Sequence, residues 1–301
     1  MDKALIITLS NIGDLVMSTP LIESISTVMP EKSIDVLGDA RSSELLKNAP
    51  YISTILNRDK KGKLGQQLNL FNRLRFQRYD LIVDLRTGFL PYLLRAQHKY
   101  IKRKGLGAVK HSVEECYSCI QGHGKFPEDI PNCKIYLSND DILKIQKLTK
   151  YLPPGKWLII APGANWSEKK WPAEKYGIVV RRALELKLFE AALIVGSTED
   201  KGENLAIDFS NFPVLDLRGQ TSLTEVAAVL SKADLFVGND SGLGHIASGV
   251  GVRTITLFGP GSPQRYRPWG EKGEVIVAPR ENLNNLQWQT VFKRLKSVSS
   301  K

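Results

Sequence analysis

The chain has 301 residues, of which 42% are apolar and 24% charged; this is typical of a soluble globular protein with room for two domains and excludes a low-complexity chain. Its 42 Lys and Arg residues against 31 Asp and Glu give a formal net charge of +11, which favours an anionic partner such as nucleic acid, a phosphorylated ligand or an anionic membrane face. The apolar runs are too short to span a bilayer and no cleavage site precedes the first predicted strand, so we expect a cytoplasmic protein.

Apolar strands and amphipathic helices alternate through the first half of the chain. The segment ALIITL predicts a strand, and a helix follows whose start lies between Gly13 and Pro20, because proline fits the first turn of a helix but not its middle. Strands are predicted at 33–38, 52–57 and 79–85, and helices at 42–48 and 64–77. Near-continuous apolar strands in this alternation indicate a parallel sheet covered on both faces.

The same alternation restarts in the second half. A polar helix is predicted at 137–152, and the sequence LPPG at 152–155 resembles a linker, so we predict domains at 1–152 and 153–301. Strands are predicted at 156–163, 190–197, 213–219, 234–240 and 253–260, and helices at 172–187, 200–209, 222–233, 242–250 and 286–296. The capping pair Ser222 and Glu225 opens the helix at 222. Two Rossmann-like halves with a cleft between them are the expected assembly.

Three loops follow strands at the carboxyl edges where open α/β sheets bind ligands: SNIGD (10–14), PGANWSEKKW (162–171) and GNDSGLGH (238–245). In the last loop, Gly242 frees backbone N–H groups at the positive end of a helix, which predicts an anion site, most naturally for phosphate. Ser241 and His245 could add contacts to the same ligand. The alternative is that Asp240 and Ser241 only cap the helix.

The other two loops offer a cation and a carboxylate. Gly163 frees the backbone of the second loop, Ser167 adds a donor, and Lys169 or Lys170 could hold a diphosphate unless both lysines are merely solvated. In the first loop, Asp14 is either a general base or an N-cap.

A carboxylate in one half and two anion-binding loops in the other fit the transfer of a group from an activated phosphate donor to an acceptor hydroxyl. No G-x-G-x-x-G follows the first strand and no P-loop occurs, which argues against a dinucleotide enzyme or a simple ATPase. No D-x-D pair is present to hold a divalent cation on a sugar nucleotide, so lysine, backbone N–H groups and a helix dipole are expected to neutralise the phosphates.

Cysteine usage also bears on metals. Cys116 and Cys119 form one C-x-x-C pair, Cys133 follows downstream, and His111 and His123 are near in sequence. Because a second pair is missing, a zinc site is weakly supported, and we expect reduced thiols and no metal.

Positive charge is concentrated between residues 85 and 113, where no acid occurs. The stretch is either a solvated surface or a patch that meets phosphates, and it has no motif that supports nucleic acid. Its basic residues are Arg86, Arg95, Lys99, Lys102, Arg103, Lys104 and Lys110.

Four segments, in order, resemble the signatures of glycosyltransferase family 9, the lipopolysaccharide heptosyltransferases. ALIITLSNIGDLVMSTPLIESI is similar to the opening strand, Gly-Asp loop and Thr-Pro helix of the family, and YDLIVDLRTGFLPYLLRA to a mid-domain segment. APGANWSEKKWPAEKY is similar to the lysine loop, and ADLFVGNDSGLGHIASGVGVRTITLFGPGSP to the strongest signature of the family.

The resemblance implies a GT-B fold with two Rossmann-like domains facing a central cleft, and a metal-independent, inverting transfer from a nucleotide sugar, usually ADP-heptose, without a cofactor. The implied acceptor is an anionic glycolipid, either lipid A–Kdo or an inner-core heptose. The implied roles are Asp14 as base, Gly163, Ser167, Lys169, Asp240, Ser241, Gly242 and His245 as donor-binding residues, and 218–223 near the base and ribose.

An anionic glycolipid acceptor would account for the basic stretch at 85–113, since opposite charges attract. We expect Arg86, Lys102 and Arg103 to bind the acceptor and the protein to associate peripherally with the inner leaflet of the inner membrane, with no nucleic-acid partner. Two alternatives stay open: a family member that uses another nucleoside diphosphate sugar, and a sugar-nucleotide- or glycolipid-binding protein without catalysis.

Overall fold

The computed structural model describes residues 1–58, 64–102, 110–206 and 210–299. Within them the chain forms two units, Met1–Tyr136 and Leu137–Lys301. Each unit carries one parallel sheet with helices packed on it, so the expected pair of parallel-sheet α/β domains is confirmed.

The first unit is built on five described strands in the order β3-β2-β1-β4-β5, all parallel. The chain leaves β1 towards β2 and β3 and returns on the other side as β4, so the edge between β1 and β4 is a topological switch point. Its elements are β1 (Ala4–Ile7), α1 (Ile12–Ser26), β2 (Ile34–Gly38), α2 (Ala40–Ser43), β3 (Ile52–Asn57), α3 (Leu64–Phe76), β4 (Arg78–Asp84), β5 (Arg95–Ile101) and α4 (Ser112–Tyr117).

The second unit is built on six described strands in the order β11-β10-β9-β6-β7-β8, also all parallel. Here the switch point lies between β6 and β9. Its elements are α5 (Asn139–Leu148), β6 (Trp157–Ala161), α6 (Ala173–Glu185), β7 (Ala191–Ile194), β8 (Val214–Asp216), α7 (Leu223–Leu230), β9 (Leu235–Asn239), α8 (Gly242–Gly249), β10 (Thr254–Phe258), α9 (Pro263–Tyr266), β11 (Gly273–Val277) and α10 (Trp288–Ser299).

Central strands are buried on both faces, as their apolar sequences require. Every residue of β1, β9 and β10 is buried. Helices α6 and α10 cover one face of the second sheet through Val179 and Leu295, which belong to one apolar cluster with Leu158 and Leu257. The burial of β6, β9 and β10 fixes the position of the loops that follow them.

Pro20 lies in the middle of α1, which begins at Ile12, so the expectation that Pro20 stands in a first turn is wrong. Proline has no N–H for the carbonyl of Val16, one turn earlier. The hydroxyl of Thr19 donates to that carbonyl at 2.7 Å and accepts the N–H of Lys134 at 3.0 Å. A neighbouring side chain therefore replaces the lost backbone bond and the helix continues.

Two edge strands and one short turn also differ from the sequence prediction. The unpredicted strands β5 (RAQHKYI) and β11 (GEVIV) have partly exposed side chains, so they lack a continuous apolar run. Where a helix was predicted at 200–209, the structure has only a 3-10 turn at Glu199–Gly202, and residues 207–209 lie outside the described part.

Helix α5 belongs to the second unit, so the unit boundary falls at Tyr136 rather than at the predicted residue 152. Lys144 of α5 pairs with Glu225 of α7, and the hydroxyl of Thr224 donates to Asp141 at 3.3 Å. The predicted linker LPPG therefore connects α5 to β6 within one unit.

Candidate functional site

The two loops of the second unit that were predicted to bind an anion start side by side. Strands β6 and β9 are adjacent, and Ala161 at the end of β6 is in register with Gly238 near the end of β9. The loop 162–171 and the turn into α8 therefore begin at the switch point of this sheet, where open α/β sheets bind their ligands.

Asn239, the last residue of β9, joins the two loops. Its side chain is fully buried; its Oδ1 accepts the backbone N–H of Trp171 at 3.0 Å and the hydroxyl of Tyr176 at 2.9 Å. Its Nδ2 donates to the carbonyl of Pro162 at 2.7 Å. Asn239 was not among the predicted site residues. The available signal was a lone amide closing an otherwise apolar strand, since a buried amide must find partners for both ends.

Lys169 reaches from the first loop to the second. Its ammonium lies 2.5 Å from Oδ2 of Asp240, and the two side chains are 21% and 8% exposed. The same ammonium lies 5.2 Å from the centre of the Trp166 ring. Lys170 instead pairs with Glu203 at 2.6 Å. Of the two lysines left open by the sequence, the structure brings Lys169 to the turn into α8 and directs Lys170 elsewhere.

The start of α8 is not closed by a side-chain cap. Ser241 stands at the N-cap position, yet its hydroxyl makes no capping bond, and Oγ is buried without a partner among the described residues. Asp240 pairs with Lys169 instead. The alternative that these two side chains only cap the helix is therefore wrong, and the N–H groups of the first turn, beginning at Gly242, stay available to an anion.

Three other predicted donor-binding residues have identifiable local environments. Gly163 packs against Asp200, because a Cβ at Gly163 would stand 2.2 Å from Oδ1 of Asp200. Ser167 is exposed at the start of a 3-10 turn that ends with Lys169. His245 is buried in the first half of α8. Their proposed contacts with a donor remain predictions.

Arg218 is the first residue of the segment predicted near the base and ribose. Its side chain is engaged in hydrogen bonds within the second unit. Arg218 is 7% exposed; its guanidinium donates to both carboxylate oxygens of Asp216 and to the carbonyls of Asp200 and Glu203 at 2.7 and 2.8 Å. Burial raises the pKa of the Asp216 carboxyl, but the bonds from Arg218 outweigh it, so the pKa lies below its usual value. Arg218 therefore shapes the loops after β7 and β8.

In the first unit, Asp14 lies in the first turn of α1, at the switch point beside β4. Asn11 is the N-cap residue, so the alternative that Asp14 is the N-cap is wrong. The amide Nδ2 of Asn11 donates to Oδ2 of Asp14 at 2.9 Å, and Asp14 is half-buried. A held, partly exposed carboxylate is a suitable proton acceptor.

The loop after β4 is organised by the buried carboxylate of Asp84. It accepts backbone N–H groups from Arg86, Thr87 and Gly88 at 2.7–2.8 Å and the hydroxyl of Thr87. These bonds fix the backbone from Arg86 to Gly88, so Arg86 is placed at the same sheet edge as Asp14.

The three predicted acceptor-binding cations have different surroundings. Arg86 is half-buried and forms no ion pair within the described residues. Lys102 pairs with Glu115 at 3.4 Å and lies 3.7 Å from Sγ of Cys116, so it is engaged within the unit. Arg103 lies outside the described residues. Acceptor binding by these residues remains a prediction.

The three cysteines are buried thiols without disulfide bonds. Burial raises the pKa of Cys116 to about 11 and those of Cys119 and Cys133 to about 12. No cluster of three or more metal-binding side chains occurs in the described ranges. Within the same ranges, no helix has the length and apolar character needed to cross a membrane.

Comparisons with known proteins agree on one family. The family model for glycosyltransferase family 9 (heptosyltransferase) matches residues 125–296. The chain is 28% identical to lipopolysaccharide heptosyltransferase 3 of Escherichia coli, over 85% of this chain and 83% of that protein. It is also 28% identical to lipooligosaccharide heptosyltransferase 2 of Haemophilus influenzae, over 90% of this chain and 87% of that protein.

Solved structures show the same fold at lower identity. ADP-heptose LPS heptosyltransferase II of E. coli matches with a TM-score of 0.83 and 20% identity over 99% of this chain and 98% of that chain. E. coli heptosyltransferase WaaC with ADP matches with a TM-score of 0.79 and 18% identity over 99% of this chain and 100% of that chain. With the family model covering more than half of its length, the chain belongs to glycosyltransferase family 9 and is a glycosyltransferase.

Proposed function

We propose that this glycosyltransferase moves a heptose from ADP-heptose to the inner core of a lipopolysaccharide. The observation that carries the proposal is the arrangement at the β6–β9 switch point, where Lys169 meets the uncapped start of α8. The similarity to lipopolysaccharide and lipooligosaccharide heptosyltransferases supports heptose as the sugar. The solved structure of a similar protein with ADP supports adenosine diphosphate as the leaving group.

The donor diphosphate would lie between Lys169 and the first turn of α8. The N–H groups of Gly242 and its successors and the positive end of the helix dipole complement phosphate oxygens. Asp240 pairs with Lys169 at 2.5 Å, and a bound diphosphate would take over that ammonium. The hydroxyl of Ser241, which is buried and has no partner in the described part of the chain, supports a further bond to the donor. These groups would supply the charge neutralisation that a divalent cation supplies elsewhere, and we propose a reaction that needs no metal.

Asp14 would act as the general base on the acceptor. Its carboxylate takes the proton of the acceptor hydroxyl while the oxygen attacks the anomeric carbon of the heptose. The new glycosidic bond forms as the bond from that carbon to the diphosphate oxygen breaks, and ADP leaves with the electron pair. Attack from the face opposite the leaving group inverts the anomeric configuration. The amide of Asn11 holds the carboxylate in place at 2.9 Å.

The acceptor would be a phosphorylated glycolipid at the inner leaflet, and the protein would associate with that surface through charge. The acid-free basic stretch 85–113 supports this, with the half-buried Arg86 at the same edge of the sheet as Asp14. The attraction is electrostatic, so we expect co-sedimentation with anionic vesicles to fall as salt rises. Co-sedimentation that does not change with salt concentration would contradict an association through charge.

A thermal-shift screen of ADP-, UDP-, GDP- and CDP-sugars tests the donor assignment, because a ligand that binds only the folded protein raises its Tm. ADP-heptose should give the largest shift, and Lys169→Met should remove most of it, while Lys170→Met serves as the matched control. A larger shift with another nucleotide would favour the alternative of a family member with a different donor. Donor binding without any transfer to acceptor would favour the non-catalytic alternative.

A further inference from the structure

The first unit contains an apolar cavity of about 310 Å³ on the α3 face of its sheet. Its apolar wall is formed by Leu70, Phe71 and Leu74 of α3, Leu37 of β2, and Leu90 of the 3-10 turn at Leu90–Leu93. The polar side chains of Gln66 and Gln67, near the start of α3, also line the cavity. A cavity of this size is at the lower end of the range of roughly 300–1,000 Å³ found for small-molecule sites. None of the described residues that line it is acidic.

The mouth of the cavity lies at the carboxyl edge of the sheet. Asn57 ends β3, Arg58 follows it, Thr87 follows β4, and all three line the cavity. Strand β1 lies between β2 and β4 in the sheet, so the loop that carries Asp14 leaves from the same edge. The guanidinium of Arg58 is the one charged group among the described lining residues.

Beside the mouth, the turn between β4 and β5 exposes three large apolar side chains. Phe89, Tyr92 and Leu93 are 62%, 71% and 53% exposed, and Phe89 also lines the cavity. Clustered exposed apolar residues mark surfaces that meet another apolar phase, whereas isolated ones need no explanation. The turn lies inside the acid-free basic stretch, and this mixture of aromatic, aliphatic and cationic groups is typical of proteins that lie in the interface of an anionic bilayer.

We propose that this cavity holds one acyl chain of an anionic membrane lipid, with the lipid headgroup at Arg58 and the exposed turn in the headgroup region of the bilayer. The inference rests on the proposed function, since a lipid-anchored acceptor brings the enzyme to a membrane. It assigns the contact to a specific cavity rather than to diffuse charge. An acyl chain would cover the apolar wall of the cavity without burying an unpaired polar group. The single guanidinium at the mouth would favour a negatively charged headgroup.

Binding of lauroyl lysophosphatidylglycerol below its critical micelle concentration tests the proposal. The full-length wild-type protein should bind this probe in calorimetric titration, and Leu70→Trp, which fills the cavity, should weaken binding at least ten-fold. Phe89→Ser alters an exposed residue at the mouth and should weaken it several-fold. Phe76→Ser is the matched control, because Phe76 is 79% exposed near the end of the same helix and does not line the cavity; it should bind within two-fold of wild type.

Charge selectivity is tested by replacing the headgroup. Wild type should prefer lysophosphatidylglycerol over lysophosphatidylcholine, and Arg58→Gln should remove that preference. No binding by wild type, or equal binding by wild type, Leu70→Trp and Phe89→Ser, overturns the proposal; if Leu70→Trp does not fold, Phe89→Ser against Phe76→Ser decides. Heptose transfer to a deacylated acceptor is measured in parallel. Failure of this transfer would count against the proposed function but would not change the conclusion from the lipid-binding titrations.

Discussion

Replacing Asn239 with alanine should destabilise the second unit far more than an ordinary surface change. The substitution removes three hydrogen bonds of 2.7–3.0 Å in a fully buried environment: two accepted from Trp171 and Tyr176 and one donated to Pro162. At about 1 kcal/mol net for each bond, the loss of unfolding free energy is about 3 kcal/mol, and the buried N–H and C=O groups left without partners add to it. For a domain of this size, about 2–4 °C per kcal/mol gives a fall in Tm of about 6–12 °C.

Scanning calorimetry of wild type, Asn239→Ala and Asn165→Ala measures this directly. Asn165 is exposed in the same loop and should change the Tm of the second unit by less than about 2 °C, as surface substitutions usually do. The stabilisation by ADP should also shrink in Asn239→Ala, because the loop that carries Lys169 loses its attachment to β9. A Tm within about 2 °C of wild type, or equal effects at the two asparagines, would refute the role given to Asn239.

Further substitutions test the base, the cation, the proline helix and the thiols. Asp14→Asn should lower kcat by about 10²–10⁴-fold, as expected for loss of a general base, while ADP still raises the Tm as in wild type; unchanged turnover would exclude Asp14 as the base. In equilibrium titration, Lys169→Met should weaken ADP binding at least ten-fold and Lys170→Met less than three-fold. Thr19→Val should cost the first unit about 2 kcal/mol in urea unfolding, because the Val16 carbonyl and the Lys134 N–H both lose a partner. Burial raises the pKa of Cys116 to about 11 in the folded chain, against 9.0 in the unfolded chain. The contribution of this thiol to stability is therefore fully present below pH 9 and is lost as pH rises through 11. Across that pH window, the Tm of wild type should fall more than the Tm of Cys116→Ala.

Local patterns in the sequence were sufficient for the central strands and the ligand loops. Apolar runs such as those of β1, β6 and β9 predict buried parallel strands, and the strand-end rule then places Asp14, Lys169 and Asp240 at sheet edges. The capping pair at Ser222 and Glu225 is confirmed, because a capping box depends only on residues three apart.

Features that depend on distant partners were missed for that reason. Pro20 continues its helix beside a Thr19 hydroxyl that donates to the Val16 carbonyl and accepts the N–H of Lys134, 115 positions away, and no propensity scale contains that second bond. Strand β5 is assigned by pairing with β4 at the sheet edge rather than by apolar content. The role of Arg218 depends on carbonyls 15 and 18 residues away in a loop of irregular backbone. Such contacts are properties of the assembled sheet rather than of the local sequence.

The bond between Asn239 and the Pro162 carbonyl joins residues 77 positions apart, and it bears on the order of folding. Strand β6 comes early in the sequence of the second unit. Its neighbour β9 comes only after β7 and β8, which lie on the other side of β6 in the sheet. Bringing β9 back requires a long loop closure, which is slow compared with the formation of local helices. During refolding, far-ultraviolet signal should therefore recover before ADP binding does, and nucleotide binding would report the insertion of β9 beside β6.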